Sequence, residues 1–387
     1  MRTRLLLIAV AVVAAACAST GATPVSTAGS ATATPAVSTT TIAATTSAPT
    51  TTLPPTTTTT TTSLPTGTVT EDARAVVMAG LPGLTLDVAS EAFLADGGRV
   101  MILFAKNLSS REQVSDLTAS MACAAGAPIL VAVDQEPGRV DRLAKIGIPS
   151  PAVDSPTFVE DTLAMGKAMF DLGINLDLAP VLDVARGDNP VLVGRNFGPD
   201  PDVVASRGLD FQLTLGSLGI MTTAKHFPGH GLSTVDPHLQ VTPIDAGLAT
   251  LLATDFPPFQ AAIDNGIGAI MVGHPIYAAL DPDNPASLSP AVLEMLRDDF
   301  GFDGVAMTDA FSMAGVRAGG SVGDLTVQAL IAGEDLLIVD NPAEVGPVVS
   351  AIEAAVAAGT LDRTRLAQAA GRVRRLAQSA FPVLCDR

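Results

Sequence analysis

Positive charge is scarce in this sequence. Its 387 residues carry 22 Lys and Arg against 39 Asp and Glu, a formal net charge of −17. A surface with that balance repels phosphate backbones and acidic headgroups, which argues against nucleic acid or anionic lipid as a partner. Cysteine is nearly absent as well, at residues 17, 123 and 385 only. Charge is missing altogether from Ser19 to Thr70, a stretch built almost wholly of Thr, Ser, Ala and Pro. With no apolar periodicity either, this stretch cannot bury enough surface to offset the entropy of ordering. It is expected to be a disordered tether. A coil of about 50 residues has an r.m.s. span of about 40 Å, and Pro-rich extension stretches it further.

A long apolar run is also lacking. The stretch Leu5–Ala16 follows Arg2 and Arg4 and is too short to cross a bilayer as a helix, but it has the length of a signal-peptide core. Ala14, Ala15 and Ala16 lead into Cys17, a pattern that resembles a bacterial lipobox. The expectation is cleavage after residue 16 and lipid attachment at Cys17; ordinary secretion is the alternative. The order is then a signal peptide (1–16), a lipidated Cys with its tether (17–70) and one folded domain (71–387). Membrane contact through the lipid alone, an exported location at the outer face of the cell membrane and a monomeric state follow as expectations. In that oxidising compartment, Cys123 and Cys385 either form a disulfide or stay as two buried thiols.

From Asp72 onward, short β-branched or apolar runs alternate with longer helix-compatible segments. Val76–Leu81, Val100–Phe104, Ile129–Val133, Ile174–Leu178, Ile220–Ala224, Ala269–Val272, Gly304–Met307 and Leu336–Val339 are expected strands. Eight strands alternating with helices predict an α/β fold, a (β/α)₈ TIM barrel, with an open doubly wound sheet as the alternative. Catalytic groups of such barrels stand where the strands end. Polar residues cluster there: Asp134–Arg142 after strand three, Asp183 and Arg195 after strand four, Lys225–Gly231 at strand five, His274 after strand six and Asp309 after strand seven.

Two chemistries compete for that cluster. His226 and His230, with Asp236 and His238, offer ligand types for zinc. Phe227-Pro228-Gly229 between the first two prevents a shared helix face, and Lys225 sets a cation beside the site. Sugar hydrolysis fits better, because hydroxyl-rich ligands call for Asp, Arg, Lys and His making charge-assisted hydrogen bonds. A retaining mechanism needs a carboxylate nucleophile, for which Asp309 is placed, and an acid/base group. Asp236 beside His238 can form a dyad for that second role, since imidazole gives and takes protons near neutrality. No cofactor and no metal are expected.

The segments Asp134-Gln135-Glu136-Pro137-Gly138-Arg139-Val140-Asp141-Arg142, Lys225-His226-Phe227-Pro228-Gly229-His230-Gly231 with Asp236-Pro237-His238, and Thr308-Asp309-Ala310-Phe311-Ser312-Met313 look like the β-N-acetylglucosaminidases of glycoside hydrolase family 3. That resemblance covers the whole folded region. It implies Asp309 as nucleophile, His238 as proton donor and later base with Asp236 as its partner, and substrate contacts from Asp134, Arg142, Arg195, Lys225 and His226. Saccharides carrying N-acetylglucosamine, muropeptide fragments or chitin oligomers, are the implied substrates. Pro137, Asn196 and Ala310 depart from the family pattern and bear on specificity rather than on the reaction. A phosphorylase using the same His, a β-glucosidase, a metal-dependent hydrolase and a non-catalytic wall-binding lipoprotein are the alternatives.

Overall fold

Each expected strand forms, because each is a short apolar run that can be buried on both faces between the barrel interior and a helical layer. The computed structural model describes residues 67–385 except 187, 188, 190, 234–242 and 318. The first four strands are β1 (Val77–Gly80), β2 (Val100–Leu103), β3 (Leu130–Val133) and β4 (Leu176–Asp177). The others are β5 (Met221–Phe227), β6 (Ala269–Val272), β7 (Val305–Thr308) and β8 (Leu337–Val339). Neighbours pair in parallel in the order β8-β1-β2-β3-β4-β5-β6-β7. A parallel bridge between Met307 and Leu336 joins β7 to β8 and closes the cylinder. The open-sheet alternative is therefore wrong, since an open sheet leaves two edges unpaired. Strand ends differ from the sequence reading by a residue or two, and β5 by more: it carries on through Lys225, His226 and Phe227.

Helices α2 (Val88–Ala95), α3 (Arg111–Ala125), α4 (Phe158–Asp171), α5 (Pro201–Gly216), α6 (Phe256–Asp264), α7 (Pro290–Asp298) and α8 (Val322–Ala332) fill the crossovers, and α9 (Pro342–Ala357) follows β8. Asp87, Ser110, Asp200, Ser289, Ser321 and Asn341 cap six of them by accepting a backbone N–H. Such caps contribute about 1 kcal/mol each. Two further helices, α1 (Val69–Ala75) and α10 (Arg363–Ser379), lie outside the repeating pattern. No described helix is long and apolar enough to cross a membrane.

Inward-facing Met78, Val100, Leu130, Leu176, Ala269 and Val305 fill the barrel, and Val373, Leu376 and Ala377 of α10 join the same cluster. A Cβ on Gly268, just ahead of β6, would stand 2.7 Å from Leu376 Cδ1. Helix α10 thus plugs the end where the strands begin. The opposite end, where the strands stop, is left for a ligand to enter. Cys123 and Cys385 form a disulfide that fastens the C-terminal segment to α3, which decides between the two states left open by the sequence. The expected leader, Cys17 and the tether, together with Asp236 and His238, lie outside the described residues.

Candidate active site

Lys225 is the centre of the open end. It points inward from β5 and is only 2% exposed, so its ammonium has lost nearly all its water. Nζ lies 2.9 Å from Asp134 Oδ1 and 2.6 Å from Glu136 Oε1, both in the loop after β3. Burial works against the Lys225 charge, but Asp134 and Glu136 outweigh it and raise the ammonium pKa above its ordinary value. Glu136 is buried too and meets the Arg195 guanidinium through two bonds of 2.7 Å. Burial alone would raise the Glu136 carboxyl; Lys225 and Arg195 overcome it and hold the pKa down at about 2. The loop after β3 is stitched to the loop after β4 by the Arg139 N–H donating to the Gly194 carbonyl at 2.8 Å. Four charges from three strand ends therefore form one desolvated network whose members neutralise each other.

The buried carboxylate of Asp183 organises the next layer. Its Oδ1 accepts the backbone N–H groups of His226 at 3.3 Å and His230 at 2.6 Å, while Oδ2 meets His226 Nδ1 at 2.7 Å. Burial opposes ionisation, yet both histidines and these N–H donors hold Asp183 well below the ordinary carboxylate range. The His226 and His230 rings stack, with centroids 4.7 Å apart. Residues 227–229 do keep them off a helix, but the loop folds back and brings the rings together all the same. Burial, with His226 alongside, lowers the His230 pKa to about 3, so its imidazole is neutral. Asp183, His226 and His230 are the group of potential metal ligands among the described residues. Coordination there would have to displace the Asp183–His226 hydrogen bond and compete with the N–H donors already on Asp183.

Asp309 follows β7 directly. Its backbone N–H donates to the Val272 carbonyl on β6 at 3.1 Å, and its Oδ1 accepts the Ala310 N–H at 2.7 Å. Burial raises the carboxyl, but His226, His274, the Ala310 N–H and Lys225 prevail and bring its pKa to about 2. His274 is held by Ser287 Oγ at 2.7 Å and lies 3.2 Å from the Ala310 carbonyl oxygen, supporting the same turn.

Lys225, Asp134, Glu136, Arg195, His226, His230 and Asp309 line one cavity of about 330 Å³ with an apolar floor that includes Ile102, Leu178 and Met271, and Asp183 and His274 stand behind it. Of the residues expected from sequence, the structure brings together Asp134, Arg142, Arg195, Lys225, His226 and Asp309. Arg142 has a buried Nε with no partner among the described residues. Sequence reasoning missed Glu136, although it stood inside a quoted motif. It also missed Arg139, and Asp340 at the end of β8. The strand-end rule pointed to Asp340, but Asp340-Asn341-Pro342 reads first as a helix start, and Asn341 is indeed the α9 cap. An ionised carboxylate with cations fixed around it in a recessed cavity can attack or stabilise an electron-poor carbon.

Fold and cavity together define a (β/α)₈ barrel with a charged, recessed pocket where its strands end. The family model for the glycosyl hydrolase family 3 N-terminal domain matches residues 91–376. A β-hexosaminidase of Xanthomonas campestris pv. campestris (strain B100) is 34% identical over 311 residues, covering 77% of this chain and 92% of the relative. A family 3 β-N-acetylglucosaminidase structure from Paenibacillus sp. str. FPU-7 aligns with a TM-score of 0.77 and 31% identity over 81% of this chain. This chain spans 62% of that longer protein. A β-N-acetylhexosaminidase structure from Beutenbergia cavernae DSM 12333 gives a TM-score of 0.73 and 28% identity, covering 81% of this chain and 99% of the other. The chain belongs to glycosyl hydrolase family 3 and is a glycoside hydrolase.

Proposed function

We propose that the protein is a retaining exo-β-N-acetylglucosaminidase in which Asp309 forms the glycosyl-enzyme. The observation that carries this is the Asp309 carboxyl, held ionised by His226, His274 and Lys225 at the edge of a cavity that also contains Asp134, Arg142 and Arg195. A nucleophile must be unprotonated in the resting enzyme, and a pKa of about 2 ensures that. The relatives' activities, β-hexosaminidase and β-N-acetylglucosaminidase by name, support the hexosamine as the sugar released. A cavity of about 330 Å³ is at the small end for ligand sites, which suits one terminal sugar rather than a chain threaded through.

In the first step Asp309 attacks the anomeric carbon while His238, charge-supported by Asp236, protonates the departing oxygen. In the second, the acceptor oxygen bonds to the anomeric carbon as His238 takes its proton, and the Asp309–sugar bond breaks with a second inversion, giving net retention. Asp134, Arg142, Arg195, Lys225 and His226 hold the sugar hydroxyls and the acetamide. The natural substrates are N-acetylglucosamine-terminated wall fragments, and the enzyme works outside the cell, tethered through a lipid on Cys17. The Cys123–Cys385 disulfide supports an oxidising compartment.

The test is to trap the intermediate with a mechanism-based fluorinated N-acetylglucosaminyl donor, digest the protein and locate the sugar by mass. An adduct on Asp309 supports the mechanism, whereas an adduct on another residue removes Asp309 from the role. Repeating turnover with and without phosphate, and assaying for the sugar 1-phosphate, decides between water and phosphate as acceptor.

A further inference from the structure

A barrel strand turns every second side chain inward. Leu336, just ahead of β8, and Ile338 within it join the cluster that fills the barrel, while Leu337 and Val339 pack outward with the helical layer. Two residues past Ile338 the same alternation turns Asp340 into the open end, where its side chain lines the cavity. Asp134 stands two residues past inward-facing Ala132 on β3, and Asp309 two past Met307 on β7. Asp340 thus holds on β8 the place that two site carboxylates hold on their own strands. A Cβ on Gly80, at the end of β1, would stand 2.3 Å from the Asp340 carbonyl oxygen. The missing side chain there lets β1 close against the Asp340 backbone.

Bonding separates Asp340 from the other acids of the cavity. Asp134 is paired with Lys225, Glu136 with Lys225 and Arg195, and Asp309 accepts the Ala310 N–H. Asp340 is half-buried and has no hydrogen bond or ion pair with any described residue. A helix start is the plain alternative, since a negative charge just ahead of α9 suits its N-terminus. The cap of α9 is Asn341, however, which accepts the Ala343 N–H at 3.2 Å, and Asp340 makes no bond there. In the closed ring of strands β8 lies opposite β4. Arg142 and Arg195 come from the loops after β3 and β4, and Lys225 from β5, so the cations are rooted across the mouth from Asp340. A sugar hydroxyl has lone pairs that such cations can bind, and a proton that only an acceptor can take.

We propose that Asp340 accepts a hydrogen bond from one hydroxyl of the bound terminal sugar and makes the enzyme selective for pyranosides that carry that hydroxyl. Resting on the hexosaminidase reading of this cavity, the contact is one of binding, and Asp340 takes no part in proton transfer.

The experiment uses the full chain with Asp340→Ala and with Asp340→Asn, which keeps the side-chain shape but not the charge. Parent and variants are assayed on 4-nitrophenyl β-N-acetylglucosaminide and on its 3-deoxy, 4-deoxy and 6-deoxy analogues. Asp340→Ala should lower kcat/KM on the complete substrate about ten- to a hundredfold, through loss of a charge-assisted hydrogen bond. On the one analogue lacking the contacted hydroxyl, parent and variant should agree within about twofold, whereas the other two should show the full loss. Asp340→Asn should lose less than Asp340→Ala, because its amide oxygen still accepts. The pattern across four substrates is read within one preparation, so a variant that folds in lower yield does not alter it. Equal losses on all four substrates, or a loss below about twofold on the complete one, overturn the proposal. A parent that releases 4-nitrophenol from none of them ends the hexosaminidase reading and the Asp340 contact with it; that result is read on the parent alone and is not confused with the first.

Discussion

Lys225 Nζ stands 2.6 Å from Glu136 Oε1 where neither side chain is more than 2% exposed. Two ions stripped of water attract strongly, but each has also lost its hydration, and the pair survives only because Arg195 and Asp134 complete it. The arrangement fixes cationic hydrogen-bond donors in the cavity before any sugar arrives, so little reorganisation remains to be done at the moment of reaction.

Breaking that network from one side should therefore be expensive. Lys225→Met leaves Glu136 and Asp134 facing each other without the cation between them. The expected cost is about 3–5 kcal/mol of stability, together with a rise in KM. Urea unfolding and steady-state kinetics check both. A variant as stable as the parent would mean that the cluster tolerates an uncompensated carboxylate.

Replacing the proposed nucleophile removes the covalent route. Asp309→Asn should lower release of 4-nitrophenol from its β-N-acetylglucosaminide at least about a thousandfold, with the fold retained by circular dichroism. Turnover near the parental rate would end the assignment.

The buried histidine gives stability a pH signature. His230 has a folded pKa of about 3 against an ordinary 6.5, so the unfolded chain binds its proton first as pH falls. Its contribution is complete above about 6.5 and is lost progressively as pH drops towards about 3. Glu136 acts in the same direction in a lower window, between its ordinary 4.5 and about 2. Unfolding free energy should consequently start to fall near pH 6.5, above the range where carboxylates titrate. His230→Asn should make that fall shallower without abolishing it, because buried His274 is shifted in the same direction. A His230→Asn curve with the same slope as the parent between pH 6.5 and 5 would contradict a buried neutral His230.

Chelation should have no effect. Asp183 is held by His226 and by two backbone N–H donors, and the proposed reaction draws on Asp309 rather than on an ion at these side chains. Prolonged dialysis against a chelator is expected to leave kcat unchanged. Loss of activity restored by zinc would revive the metal-dependent reading.

The C-terminal tie is open to a separate check. Cys123 and Cys385 are 262 residues apart, and closing a loop of that length restricts the unfolded chain considerably. Cys385→Ser should lower the unfolding free energy by about 2–5 kcal/mol with little change in kcat/KM, because the bond lies at the plugged end of the barrel. A large effect on catalysis would mean that the two ends are coupled.

Much of this protein was legible in its residues. Apolar runs at regular intervals determined eight strands, because only a strand buried on both faces needs that pattern. Lys225, His226 and Asp309 were found because they directly follow or end such runs. The sequence could not show that Glu136 rather than Asp134 carries the tighter contact with Lys225, since both lie on one short loop and only its path decides which oxygen comes closer. Nor could it pair Asp183 with two histidines more than forty residues away. Local pattern depends on neighbours along the chain, so sequence alone determined the elements and the chemical types at their ends. Distances and protonation depend on which loops meet across the barrel mouth, and the tertiary structure alone decided those.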